Sequence, residues 1–146
     1  MSLLGTLQED TVVSIEGFKI DGDNESITGT GVDMRGYSGV MFVAIVGKGE
    51  VAACTIKAQQ DADSAFGAAA DLLGSSKAFS AGVETNGSVI LDIHKPQERY
   101  VRPVVAVPNL TLPAAVTIIA IKYGPTNKPT TNMLGELHVS PAEGTA

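Results

Sequence analysis

The sequence predicts an all-β fold, an antiparallel β-sandwich or jelly-roll-like domain with irregular N- and C-terminal arms, and three observations predict it. Sixteen glycines punctuate a chain rich in valine, isoleucine and threonine, the composition of short strands joined by tight turns. Several runs alternate apolar and polar residues, which places one side of an extended strand against a core. The length, 146 residues, suits one domain, and a chain of this size buries about 70% of its unfolded surface without help from a disulfide or metal.

The elements follow in order. Residues 1–10 show little periodicity and read as an N-terminal arm; the sandwich domain is assigned to 11–124. Residues 40–46, "VMFVAIV", are apolar on both faces and predict a central strand covered on both sides. "GKGE" reads as a hairpin turn. Residues 51–60 form the returning strand, where Thr55, Lys57 and Gln59 alternate with Cys54, Ile56 and Ala58. Residues 66–73, "FGAAADLL", are the one candidate for a helix, ended by Gly74. "TNG" signals a turn before residues 88–94, where Val89, Leu91 and Ile93 face one way and Ser88, Asp92 and His94 the other. Residues 100–107 and 115–123 are the last two strands, linked by "PNLTLP". Pro103 lacks an N–H donor, so it predicts an edge or a bend there.

Composition narrows the function. A net charge of -6 with three tyrosines, four phenylalanines and no tryptophan argues against a general nucleic-acid binder. The same shortage of exposed aromatic rings argues against a sugar-binding or host-binding sandwich. "MSLLGTLQED" has neither a basic start nor a long apolar core, so no signal peptide is expected. No apolar run approaches the length that crosses a bilayer, so a soluble protein with no membrane partner is expected. The single cysteine, Cys54, sits in an apolar-leaning run and reads as a small buried hydrophobe.

The residues give little sign of catalysis. Asp92 and His94 share a strand two residues apart, but no G-x-S-x-G elbow supplies a nucleophile. "GKGE" is no phosphate loop, because Phe42 and Gly49 occupy the places that require glycine and a hydroxyl. Asp21, Asp23 and Glu25 alternate in "DGDNESITGTGVD", yet Ser26 and Val32 stand where a helical calcium loop needs glycine and a carboxylate. No cofactor, no metal and no enzymatic activity are expected. Asn24, Asn86 and Asn109 begin Asn-x-Ser/Thr triplets, which matter only in a secreted eukaryotic protein.

The densest polar stretch is "KPQERYVRPVV", residues 95–105. Period two sets Tyr100, Arg102, Val104 and Ala106 on one face and Arg99, Val101, Pro103, Val105 and Val107 on the other. Arg99 thus lies at the rim of a core face, where an arginine pairs with a carboxylate or caps carbonyls. Arg99, Tyr100 and Arg102 are candidate structural or interface residues.

"DMRGYSGVMFVAIVG", then "TIKAQQDAD", then "KPQERYVRPVV" resemble a pattern of small structural proteins of tailed bacteriophages, the head decoration or cement proteins. Gly36, Tyr37, Arg99, Tyr100, Val101 and Arg102 match it, and the resemblance spans roughly residues 30–123. It implies a virion protein on the capsid exterior that binds the major capsid protein as a homo-oligomer, a dimer or trimer, and has no catalytic residues. Neck and tail proteins use similar modules, so that station stays open.

The C-terminal arm, residues 125–146, is rich in Pro, Thr, Asn and Gly. Ordering it costs about 1–2 kcal/mol per residue, more than its own few apolar side chains return. Both arms are therefore expected to contact neighbouring subunits instead of their own domain. Met133, Leu134, Leu137 and Val139 are the expected anchor, with residues 125–132 as an extended spacer.

Overall fold

The computed structural model describes residues 7–21, 26–47, 54–79, 87–107, 114–128 and 130. One helical turn, Leu7–Asp10, leads into the strands. In chain order these are β1 (Thr11–Asp21), β2 (Ser26–Thr28), β3 (Val32–Asp33), β4 (Tyr37–Val46), β5 (Cys54–Asp61), β6 (Ala70–Asp71), β7 (Lys77–Phe79), β8 (Gly87–His94), β9 (Tyr100–Ala106) and β10 (Ala114–Pro125). They form two antiparallel sheets packed as a sandwich, so the predicted fold class holds. The first sheet runs β1-β10-β4-β8. The second runs β2-β9-β5-β6, with β3 also on β9 and β7 also on β5.

The core is the seam between the sheets. Val40, Phe42, Ala44 and Val46 of β4 and Val116, Ile118 and Ala120 of β10 point inward from the first sheet. Cys54, Ile56 and Ala58 of β5 and Val101, Pro103 and Val105 of β9 meet them from the second. Each large side chain in this set contributes about 1.5–3 kcal/mol by leaving water. Cys54 is one of these buried hydrophobes, and burial pushes its thiol pKa up.

Four local expectations are corrected. β4 and β5 are not a hairpin: β4 bonds β10 and β8, while β5 bonds β9, so the chain crosses between sheets after Gly47. Nor is β4 covered on both sides, since Ile45 is 39% exposed on its outer face. Residues 66–73 form no helix. The buried Asp61 carboxylate accepts the N–H groups of Asp63 (3.0 Å) and Ala68 (2.8 Å), which winds residues 61–69 into turns before β6. Those N–H groups also hold the Asp61 pKa below its ordinary value. Pro103 sits inside β9, between β2 and β5, rather than at an edge. Its carbonyl accepts the Gly29 N–H (2.8 Å), so its missing donor faces the gap where β2 has ended and β3 has not begun. The neighbour is broken at that point, not β9.

The ends are corrected as far as they are described. The Thr126 N–H donates to the Gly36 carbonyl (2.7 Å), and Lys128 pairs with Asp10. The Thr130 N–H donates to the Glu9 carbonyl (3.0 Å) and its hydroxyl to that of Thr11 (2.7 Å). Residues 125–128 and 130 therefore run back along their own domain and are no free spacer. Met133, Leu134, Leu137 and Val139 lie outside the described residues.

Candidate interaction surface

The outer faces of the two sheets differ in chemistry. On the second sheet the outer face is polar and internally paired. Lys57 meets Asp71 at 2.7 Å, Gln59 donates to the same carboxylate, and Arg102 donates to Gln59 (2.9 Å). The Arg102 guanidinium also lies 4.4 Å from the centre of the Phe66 ring, a cation–π contact.

On the first sheet the outer face is apolar. It begins with an inversion in β1. Ile15 is 74% exposed and Phe18 60%, while Glu16 between them is only 6% exposed. A β-bulge produces this. Ile15 pairs with Ile119 and Gly17 with Ile118, so Glu16 is the extra residue and the alternation restarts after it. Without the bulge, Phe18 would point into the sandwich. The buried Glu16 carboxylate is satisfied by the Ser14 hydroxyl (2.8 Å) and the Gly31 N–H (2.8 Å), which offsets its burial. The register then places Ile119 and Ile121 of β10, Met41, Val43 and Ile45 of β4, and Ile90 of β8 on the same side as Ile15 and Phe18. Ile90 is 60% exposed at the far edge.

One end of this face carries its polar cluster. The Tyr123 hydroxyl donates to Asp92 (2.8 Å) and lies 3.4 Å from His94 Nδ1, and the two rings stack. Tyr123 lies over Gly39, where any β-carbon would be 2.3 Å from the ring. Burial, then the Asp92 carboxylate, push the phenol pKa up to about 12. Asp92 and His94 do point the same way, as the alternation predicts. What they meet is a phenol that keeps its proton, an arrangement suited to a fixed strut.

The residues of the 95–105 stretch separate. Arg99 holds Asp33 with two hydrogen bonds, Nε to Oδ1 (3.0 Å) and Nη2 to Oδ2 (2.6 Å), and its guanidinium lies 4.9 Å from the Tyr100 ring centre. Arg102 faces the other way, onto Gln59 and Phe66. Both arginines are engaged within the chain. An open cleft of about 630 Å³ lies between β8 and the loop after β6, lined by Leu72, Leu73, Ser75, Leu91, Ile93 and Pro96 among others. Among the described residues no group of three or more His, Cys, Asp or Glu could hold a metal. Asp23, Glu25 and the asparagines at 24, 86 and 109 lie outside them. No helix among the described residues is long and apolar enough to cross a membrane.

The apolar outer face is the feature that sequence reasoning missed. Its signal is in "TVVSIEGFKI", where a Glu-Gly pair interrupts an apolar β run, the pattern of a bulge that resets which side faces out.

No protein-family model matches the chain, and no curated protein matches it in sequence. A solved structure does: the crystal structure of the PBSX exported protein XepA, with a TM-score of 0.59 at 17% identity. The match covers 98% of this chain and 47% of that one, so this chain spans about half its length. At that identity the likeness is one of fold.

Proposed function

We propose that this chain is a structural component of a tailed-bacteriophage particle, a decoration or cement protein held on the outside of the shell by the major capsid protein. The observation that carries the reading is the apolar outer face of the first sheet, which marks the chain as one part of a larger assembly. A large solvent-facing apolar patch on a rigid sandwich marks a surface that is covered in the working state. Three further points support it. The solved structure of like fold is a phage exported protein. The stretches that resemble decoration proteins lie on β4, β5 and β9, the strands that build the core. The charge of -6 suits a position away from packaged DNA.

On this reading Tyr100 and Arg102 of β9, Arg99 just before it, and Met133, Leu134, Leu137 and Val139 contact the shell. The chain works as a strut and carries out no reaction. Purified particles test this. Quantitative mass spectrometry with immunogold labelling should find the chain over the whole shell, in a copy number that scales with the capsid protein. A single ring's worth at one vertex would instead make it a neck or tail protein. Absence from particles would overturn the reading altogether.

A further inference from the structure

We infer that the apolar outer face of the first sheet is the contact between two copies of this chain, packed face to face about a two-fold axis. This goes beyond shell attachment and does not depend on it.

The chemistry of the face selects the partner. Ile15, Phe18, Ile119, Ile121, Met41, Val43, Ile45 and Ile90 lie side by side across four strands, and the polar Asp92 and His94 stand at one end. Strands about 4.8 Å apart and roughly six residues long give a patch near 400 Å². That is half of the roughly 800 Å² each partner buries in a standard interface. The patch can therefore form the dry centre, with Thr117 enclosed between Phe18 and Ile45, and Ser88 and the strand ends as rim.

Net charge disfavours contacts between two copies through their acidic surfaces. Each carries -6, so an approach through an acidic face brings like charges together. The centre of this face has no charge to repeat against itself. The shape also suits a copy, because sheets stack face to face at about 10 Å by interleaving their side chains, and an apolar sheet face fits its own image. Phe18, 60% exposed, is the aromatic anchor such centres favour.

Sedimentation equilibrium of the full chain tests the inference, with Ile15→Glu and Ile90→Glu as variants. The two positions lie on opposite edge strands and both are mostly exposed, so circular dichroism should match the parent. The parent should show twice the 15.0 kDa chain mass. Each variant should dimerise more than about tenfold more weakly, because each places two unpaired carboxylates in a dry contact. If Ile15→Glu fails to fold, Ile90→Glu decides alone. A parent that stays at the mass of one chain at high micromolar concentration overturns the inference. So do variants that dimerise like the parent, which would place the contact elsewhere, for instance on the C-terminal residues. Shell binding is measured separately. A dimer that ignores shells sinks the decoration reading and leaves this one. A monomer that coats shells, and loses the coat on Ile15→Glu, does the reverse.

Discussion

Arg99 grips Asp33 across 66 positions of sequence, both nitrogens on both carboxylate oxygens, and so fastens the start of β9 to β3. The Arg35 N–H adds a third hydrogen bond to the same carboxylate (2.9 Å). The Arg99 hydrogen bond is the main cause of an Asp33 pKa of about 2, against an ordinary 3.8. A depressed carboxylate stabilises the fold above its unfolded pKa and loses that contribution as pH falls through the folded value. The thermal midpoint of the parent should therefore exceed that of Asp33→Asn at pH 6, with the gap closing between about pH 4 and pH 2. A gap that stays constant down to pH 2 would show that the pair does not titrate this way. The pair is substantially exposed, so the gap should be small and should shrink with added salt.

Tyr123 titrates in the opposite sense. Its folded pKa of about 12 lies above the ordinary 10, so its contribution is complete below pH 10 and is lost as pH rises toward 12. Absorbance at the tyrosinate band should show Tyr123 ionising late. Tyr123→Phe should remove that late step. Gly39→Ala, which puts a β-carbon into the ring, should move it back toward 10.

The two phenylalanines of the first sheet separate inside from outside. Phe42 is fully buried and Phe18 is 60% exposed. Phe42→Ala should cost about 3–5 kcal/mol in urea unfolding. Phe18→Ala, measured at a dilution where only single chains are present, should stay within about 0.5 kcal/mol. Equal losses at the two sites would mean that the bulge at Glu16 has been placed wrongly.

Gly31 has φ +95°, and a β-carbon there would meet the Phe66 ring at 2.4 Å. Phe66 itself holds a left-handed φ of 53° beneath Arg102. Gly31→Ala should cost at least roughly 1–3 kcal/mol. It should also loosen the 61–69 loop, seen as faster amide exchange at Ala68.

The run-back of residues 125–128 and 130 has its own test. Deleting 126–146 removes the Thr126, Lys128 and Thr130 contacts to Gly36, Asp10, Glu9 and Thr11. The thermal midpoint should fall by roughly 4–8 °C, for a loss of about 2 kcal/mol in surface hydrogen bonds. An unchanged midpoint would return these residues to the role of spacer.

Where alternation alone decides, the sequence is legible. β9 buries Val101, Pro103, Val105 and Val107 as its pattern requires, and β8 turns Ser88, Asp92 and His94 outward. Legibility fails where a distant group overrides local pattern. "FGAAADLL" has helical composition, but the Asp61 carboxylate, by holding the Asp63 and Ala68 N–H groups, fixes residues 61–69 as turns and β6 pairs with β5 from residue 70. "GKGE" has hairpin chemistry, but β10 and β8 already occupy both edges of β4. The face of β1 depends on one inserted residue, Glu16, whose burial rests on Ser14 and on Gly31 fifteen positions later. The candidate surface follows from that register, so it could not be read from alternation by itself. Arg99 was legible in kind, an arginine seeking a carboxylate, but not in partner.

The pairing of β1 with β10 has a consequence for how the chain is made. Among the described residues, β1, the first strand, has β10, the last, as its only ladder partner in the first sheet. At about 5–20 residues per second, the roughly ninety residues between them take the ribosome about 5–18 s. Through that time β1 offers Ile15 and Phe18 on a strand with no neighbour. β2, β3, β5, β6, β7 and β9 are complete earlier, so the second sheet can close on the nascent chain. The first sheet is closed only once β10 has been made, and until then copies on one polysome display Ile15 and Phe18 together at high local concentration.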